Sequence, residues 1–177
     1  MEIMSKGFTL IELMTTMSVI AIISAAVFAN FSGPEKQLAL KRAAYQVAQD
    51  IREAEEMALA AADVDCSSKN FCGFGLEFDP AKDIHSYWLF ADCENNCANS
   101  NFKRDSGDKD IKQIFLEKAV EIQETAPSQL NVVFSPPDPT VSINSVNWGT
   151  EATITLRLLN GQNKKVKVNS VGRVEME

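Results

Sequence analysis

Two features near the N-terminus could take part in chemistry: the Gly7-Phe8 junction and the acidic residue Glu12. An uncharged, mostly apolar run from Leu13 to Phe31 follows Glu12. An ionised Glu near the centre of a bilayer costs at least about 2.5–3.5 kcal/mol, so it persists only with a partner or a purpose. Cleavage between Gly7 and Phe8 would create an α-amino group about one helical turn before Glu12. That amine could pair with the Glu12 carboxylate of a neighbouring copy of the chain.

Two simpler interpretations of this segment remain open. A secretory signal peptide over residues 1–29 would leave Asn30 as the mature N-terminus, but it would carry Glu12 inside its apolar region. A plain membrane anchor needs only length, and residues 8–31 would rise about 36 Å as a helix, enough for a core of about 30 Å. Neither interpretation explains the short leader, the Gly-Phe junction and the acid together.

The segment Gly7-Phe8-Thr9-Leu10-Ile11-Glu12-Leu13 resembles the N-terminus of type IV prepilins. The resemblance implies that a membrane aspartyl peptidase cuts after Gly7 and that the new N-terminal Phe8 is N-methylated. It also implies that Glu12 docks each incoming subunit onto a growing filament. The expected organisation is a cleaved leader at 1–7, a transmembrane and filament-core helix at 8–31, and a head at 32–177.

The same resemblance implies the partners and the location of the protein. The expected partners are the prepilin peptidase/methyltransferase, other pilin or pseudopilin subunits that contact the N-terminal helix, and an inner-membrane assembly platform. Before assembly the chain would cross the inner (cytoplasmic) membrane once, with its head in the periplasm or outside the cell. After assembly it would lie in a pilus or pseudopilus.

Composition limits what the head can do. About 145 residues follow the leader and anchor, which suits one globular domain. The net charge of −7 argues against bulk electrostatic binding to nucleic acid or anionic lipid, although a local basic patch is compatible with it. With a single histidine and no nucleophile–base pair or phosphate-cradling glycine loop, the sequence indicates no enzyme and no cofactor.

All four cysteines lie in the part of the chain that a prepilin leader would send into an oxidising space, so disulfides are expected: Cys66, Cys72, Cys93 and Cys97. Zinc is disfavoured because no Cys-x-x-Cys pair is present and His85, the one histidine, lies in an expected strand. Two connectivities remain open. A nested pattern, Cys72 with Cys93 and Cys66 with Cys97, is slightly preferred over a local one, Cys66 with Cys72 and Cys93 with Cys97.

The elements that carry these residues follow from periodicity. Ser32-Gly33-Pro34-Glu35 indicates a helix boundary, because it combines a capping-box pattern with a proline. A second helix is predicted over residues 35–62, with one narrow apolar stripe against the domain's own sheet. The stripe comprises Leu40, Ala44, Val47, Ile51, Ala54, Ala58 and Ala61.

From Cys72 onward the apolar period changes to two, which predicts antiparallel strands over about 72–176 and an α+β fold with a long N-terminal helix packed on the sheet. The polar stretch 92–110 is predicted to be an exposed loop. A first hairpin is expected around Asp79-Pro80-Ala81-Lys82-Asp83, with further strands within 114–122, at 130–134 and within 141–148.

The chain should close with a second hairpin around Asn160-Gly161. A two-residue turn would set Ile154 against Lys167, whereas a three-residue loop, Asn160-Gly161-Gln162, sets Ile154 against Val168. The three-residue loop is preferred because it keeps apolar residues opposite one another. It would also place Arg157 opposite Lys165 on the outward face.

Three internal segments resemble the GspH/FimT group of minor pseudopilins of type II secretion and minor pilins: Ile51-Arg52-Glu53-Ala54, Tyr87-Trp88-Leu89-Phe90-Ala91-Asp92 and Val171-Gly172-Arg173-Val174. This resemblance implies a structural subunit that assembles into or primes a filament. It also implies an alternative, a DNA-binding minor pilin in DNA uptake, through Arg157, Lys165, Lys167 and Arg173. A major pilin that forms the shaft alone is a third interpretation.

A calcium site in the polar loop is a further alternative. Its oxygen ligands would come from Asp92, Glu94, Asn95, Asn96, Asp105, Asp108 and Asp110. No EF-hand spacing is present, and a loop of turn-forming residues accounts for the same composition, so no metal is predicted.

Overall fold

A computed structural model describes residues 7–30, 32–60, 63–137, 140–146, 149–159 and 161–177. The leader residues 1–6 therefore lie outside the described residues. The chain divides into two compact units, residues 1–36 and residues 37–177.

The first unit contains helix α1, Leu10–Asn30. Its apolar side chains are exposed to the surroundings from Leu10 to Phe28. The part from Leu10 to Phe28 is long and apolar enough to cross a membrane, with a mean hydropathy of 2.0. The fold of this segment therefore agrees with the expected apolar N-terminal helix.

Helix α2 runs over Ser32–Leu59 and supplies the head with its helical layer. It begins before the predicted Glu35. Pro34 does not prevent this, because it lies in the first turn, where backbone N–H groups have no intrahelical acceptor. The predicted end at Ala62 lies outside the described residues, as does Ala61. The apolar stripe is confirmed, since its six described members, Leu40, Ala44, Val47, Ile51, Ala54 and Ala58, are all buried in the core.

Apart from loops and a short 3-10 helix, Cys97–Asn99, the described remainder of the head is antiparallel β structure, which confirms the α+β, type IV pilin-like fold. The sequence did not indicate that the strands divide between two sheets. The strands are β1 Asn70–Phe78, β2 Ser86–Glu94, β3 Lys109–Phe115, β4 Val120–Ala126, β5 Leu130–Ser135, β6 Thr140–Ile143, β7 Glu151–Leu158, β8 Asn163–Asn169 and β9 Val174–Met176. One sheet has the order β3-β2-β1-β5-β6 and the other the order β4-β7-β8-β9.

Alternating apolar residues of both sheets form the core against α2. On β1 these are Phe74, Leu76 and Phe78, and Leu76 pairs with Leu89 of β2. The predicted first hairpin is thereby confirmed. The strand expected within 141–148 corresponds to β6, which lies at an edge of the five-stranded sheet. A polar contact ties the helix to the sheet within this core: the Tyr87 hydroxyl donates to Asp50 Oδ2 of α2 at 2.5 Å.

The predicted register of the closing hairpin is wrong. Ile154 lies opposite Val166, not Val168, and Arg157 lies opposite Asn163, not Lys165. The Leu158 N–H donates to the Gln162 carbonyl at 2.8 Å, so the turn begins one residue earlier than predicted. Gly161 explains the shift. It has a φ of +88°, and the last position of a three-residue hairpin loop requires this left-handed conformation, which Gln162 would adopt only with strain.

The polar stretch 92–110 is more than the expected exposed loop, because it covers the second face of the five-stranded sheet. Phe90 and Val133 are buried on that face above Gly75, where a Cβ atom would come within 2.7 Å of Val133. The Arg104 backbone N–H donates to Asn131 Oδ1 at 3.1 Å, and Asn101 accepts a hydrogen bond from Ser145. The sheet is therefore covered on both sides.

Candidate processing and assembly site

The Gly7-Phe8 junction lies in non-helical backbone before α1. Phe8 is 85% exposed. A Cβ atom placed at Gly7 would meet no atom within 4 Å. An exposed segment without helical structure can extend into a protease cleft, whereas a helix would first have to unwind.

Glu12 forms a reciprocal capping box with Thr9 at the start of α1. The Thr9 backbone N–H donates to Glu12 Oε2 at 3.1 Å, and the Thr9 hydroxyl donates to the same oxygen at 3.0 Å. In return, the Glu12 backbone N–H donates to Thr9 Oγ1 at 3.3 Å. These bonds satisfy N–H groups that have no intrahelical partner at a helix N-terminus.

Sequence reasoning missed this role of Thr9 and Glu12, although the signal was present. Thr9-x-x-Glu12 immediately before an apolar run is the capping-box pattern, the same pattern that was used at Ser32 to Glu35. Both donors to the Glu12 carboxylate are neutral. The carboxylate therefore has hydrogen-bond partners within its own chain, and its charge remains without a cationic partner among the described contacts.

Three hydroxyl groups further along α1 donate hydrogen bonds to carbonyls of the same helix. Thr15 donates to the Glu12 carbonyl at 3.0 Å, Thr16 to the Leu13 carbonyl at 2.9 Å, and Ser18 to the Met14 carbonyl at 2.8 Å. Such bonds to carbonyls three or four residues earlier remove the cost of placing hydroxyls in hydrocarbon. Glu12 is then the charged group that the apolar helix must accommodate.

All four cysteines are oxidised, but both predicted connectivities are wrong. Cys66 is bonded to Cys93, with 5.6 Å between their Cα atoms, and Cys72 is bonded to Cys97 at 5.2 Å. The nested prediction assumed an uninterrupted hairpin. The β1–β2 register shifts at Cys72, so that Phe71, not Cys72, lies opposite Cys93. This β-bulge frees Cys93 for Cys66 and re-aims Cys72 toward Cys97.

The acidic residues of the covering loop make internal contacts. The Ser100 hydroxyl donates to Asp92 Oδ2 at 2.5 Å, and burial raises the pKa of Asp92 to about 6. Asp108 accepts from the Cys93 backbone N–H at 2.9 Å, and burial likewise raises its pKa. In the part of the chain that the structure describes, no three His, Cys, Asp or Glu residues are grouped so that they could hold a metal ion.

Arg104 is the central cation of this loop and was not singled out from the sequence. Its guanidinium donates to Glu77 at 2.9 Å and to both oxygens of Asp110 at 2.6 and 2.8 Å. It also stacks on Trp88 at 4.4 Å from the ring centroid. Glu77 is only 3% exposed, so Arg104 compensates a buried carboxylate and fastens the loop to the sheet.

Among the cations of the possible DNA patch, three of the four contact carboxylates. Arg157 Nε donates to Glu121 at 2.9 Å, Lys167 donates to Glu177 at 2.8 Å, and Arg173 lies 2.7 Å from Glu175. Lys165 lies opposite Thr155 on the β7–β8 ladder. His85 is exposed immediately before β2, with its Nδ1 atom 3.3 Å from the Val120 carbonyl.

Comparison with known proteins supports the N-terminal site. A family model described as the prokaryotic N-terminal methylation motif matches residues 4–28. Neither the curated proteins nor the solved structures give a match to the chain. The matched residues include the exposed junction, the capping box and most of α1. The motif therefore supports the identification of the chain as a type IV prepilin-like protein.

Proposed function

We propose that the chain is a minor pilin or pseudopilin, a structural subunit that prepilin peptidase processes between Gly7 and Phe8. The observation that carries the proposal is the methylation-motif match over residues 4–28, on a segment whose junction is exposed. The leader occupies 1–7, and residues 8–31 anchor the subunit in the inner membrane and later pack in the filament core. The head, residues 32–177, lies outside the cytoplasm.

Cleavage supplies the group that Glu12 lacks. It converts the Phe8 backbone nitrogen from a neutral amide into an amine, which stays cationic after methylation. In hydrocarbon this amine and the Glu12 carboxylate of a neighbouring subunit would each be costly alone, so pairing them favours assembly over the separate subunits. The capping box holds the carboxylate at the helix N-terminus until a partner arrives.

The assignment to the GspH/FimT group rests on the three resembling segments. They lie on α2, on β2 and on the turn into β9, so they are spread over the head. We propose on this basis a minor subunit that assembles into or primes a type IV pilus or a type II secretion pseudopilus. Its partners are the peptidase, other subunits through α1, and the inner-membrane assembly platform.

A DNA receptor remains the alternative function, and the ion pairs weigh against it. Phosphate contacts need cations with free charge, whereas Arg157, Lys167 and Arg173 each contact a carboxylate. Binding DNA would require these pairs to be replaced. The structural role therefore ranks first.

Intact-mass measurement of protein extracted from membranes tests the processing step. We expect a mature chain that begins at Phe8 and carries one added methyl group. In cells without prepilin peptidase, and in a Gly7→Val variant, the full precursor should accumulate. A mature N-terminus at Asn30 would establish the signal-peptide interpretation and end this proposal.

A further inference from the structure

A groove opens in the head between the first turns of α2 and the turn that joins β7 to β8. Lys41 of α2 and Lys164 of β8 line it, together with Leu40 and Asn163, over a volume of ≈ 360 Å³. The same two lysines line an adjoining cavity of ≈ 240 Å³ with Tyr45 and Met176. We call the two cavities together the lysine groove. Its walls offer two ammonium groups beside apolar and aromatic surface.

The two ammonium groups have no carboxylate partner among the described residues. Lys164 is half-buried, because it lies on the same inward side of β8 as Val166 and Val168 and opposite Leu156. A lysine at such a position packs its aliphatic stem and extends its charge outward. An anion from another molecule would supply the counter-charge that the chain does not provide.

Exposed apolar residues lie on the same helix and the same turn that line the groove. Leu159 is 80% exposed in the β7–β8 turn, and Leu38 is 50% exposed in the first turns of α2. Cations next to exposed leucines are typical of surfaces that lie in the headgroup region of a bilayer. The anchor keeps a bilayer within reach, because even an extended chain from Phe28 to Lys41 spans no more than about 45 Å.

We propose that the lysine groove binds the phosphate headgroup of an anionic phospholipid, with Leu159 resting in the interfacial region. The net negative charge of the chain opposes this only through charges close to the groove, because charges beyond a Debye length of about 8–10 Å are screened. The two carboxylates that flank Met176 are already paired, Glu177 with Lys167 and Glu175 with Arg173. The inference needs the anchor helix alone and does not depend on cleavage or filament assembly.

The test uses the full chain in a non-ionic detergent, with lipid binding followed by native mass spectrometry. Phosphatidylglycerol should bind more tightly than phosphatidylcholine, and inorganic phosphate should compete only weakly. Each lysine should account for roughly a fivefold change in affinity for phosphatidylglycerol. We therefore expect Lys41→Gln with Lys164→Gln to weaken binding about 25-fold, and Lys41→Arg with Lys164→Arg to retain it.

A matched control separates the groove from general charge. Lys103→Gln with Lys118→Gln removes the same charge from two other exposed positions and should leave phosphatidylglycerol binding unchanged. The single Lys41→Gln substitution, at an exposed helix position, should weaken binding about fivefold without the risk of unfolding that half-buried Lys164 carries. Melting curves by circular dichroism check that each variant is folded.

Three outcomes would overturn the proposal. Equal weakening in the groove variant and the control would show that only bulk charge matters. Inorganic phosphate that binds as tightly as phosphatidylglycerol would identify a small-anion site. Loss of self-association in the groove variant, with lipid affinity unchanged, would identify a contact between copies of the chain. None of these results affects the mass of the processed N-terminus, so a failure here is distinguishable from a failure of the proposed function.

Discussion

The Glu12 carboxylate combines a charge with a helix cap, and three substitutions separate the two. Glu12→Ala removes both. Glu12→Gln removes the charge and keeps an oxygen for the Thr9 N–H, because glutamine also serves at this position of a capping box. Thr9→Ala removes the hydroxyl that donates to Glu12 and leaves the charge in place.

The two roles predict effects of different size. Loss of an N-terminal cap costs about 1 kcal/mol, which is roughly a fivefold change in an equilibrium. Removing one partner of a buried, hydrogen-bonded charge pair costs about 2–5 kcal/mol, which is at least roughly 30-fold. If Glu12 pairs with a neighbour's Phe8 amine, Glu12→Gln and Glu12→Ala should both lower incorporation at least 30-fold. Thr9→Ala should lower it no more than about fivefold.

The assay compares the amount of each variant in sheared filaments with the amount in the membrane. Intact mass of the membrane fraction confirms that Phe8 is still the N-terminus, so that loss of assembly is not mistaken for loss of cleavage. Membrane insertion should not suffer in Glu12→Ala, because the substitution removes a costly carboxylate from hydrocarbon.

A different ranking of the variants would refute the pairing. If Glu12→Gln enters filaments normally while Glu12→Ala and Thr9→Ala are each lowered about fivefold, the carboxylate acts as a cap of its own helix. Normal incorporation of all three variants would leave Glu12 without a role in assembly.

Three further predictions concern the head. Asp92 has a folded-state pKa of about 6, above the ordinary value of 3.8, so folding disfavours its ionised form. The free energy of unfolding should therefore rise by up to about 3 kcal/mol as pH falls from about 7 to 4. Asp92→Asn should raise the melting temperature at pH 7 and remove this component of the pH dependence. If the difference in melting temperature between the variant and the wild type were the same at pH 4 and pH 7, the argument would be contradicted. Arg104→Ala leaves buried Glu77 with Lys82 and Gln129, each at 3.3 Å, as its remaining side-chain partners among the described residues. We therefore expect a loss of about 3 kcal/mol in the free energy of unfolding, measured in urea, and a smaller loss in Arg104→Lys. The full chain in detergent should not bind duplex DNA at about 0.15 M salt. The DNA receptor would be favoured by micromolar binding that Lys165→Ala with Lys167→Ala abolishes. The binding constant should then fall by about 0.9 log unit per log unit of salt for each phosphate contact.

Patterns with one dominant period were readable from the sequence. Helix α2 and strand β1 each bury one apolar side. The buried residues are the stripe from Leu40 to Ala58 on α2 and the alternating Phe74, Leu76 and Phe78 on β1. Hydrophobic periodicity reveals which side of an element is buried. The α+β class followed from these two patterns. The division of the strands into two sheets did not follow, because alternation shows that a strand has a buried side and not which strand lies beside it.

The errors arose where one residue interrupts the regular pattern. The bulge at Cys72 changes which residue faces Cys93, and the left-handed backbone of Gly161 moves the closing turn by one position. Both features are backbone conformations that leave little trace in hydrophobic periodicity. Arg104 was missed for a related reason, because its partners Glu77 and Asp110 come from different strands and only the folded loop brings them together.

The capping box also bears on how a prepilin-type subunit can wait in the membrane before it assembles. A carboxylate that must pair with another chain is a liability until that chain arrives, since it lies among apolar residues with no cation. Thr9 reduces this cost with two neutral hydrogen bonds at a helix N-terminus, where the helix dipole also favours a negative charge. Neutral donors stabilise the carboxylate without neutralising it, so under the proposed function its charge would remain available to the Phe8 amine of the next subunit. The same short pattern, Phe8-Thr9-x-x-Glu12, would then supply the amine, the acid and the local support that lets the acid persist between cleavage and assembly.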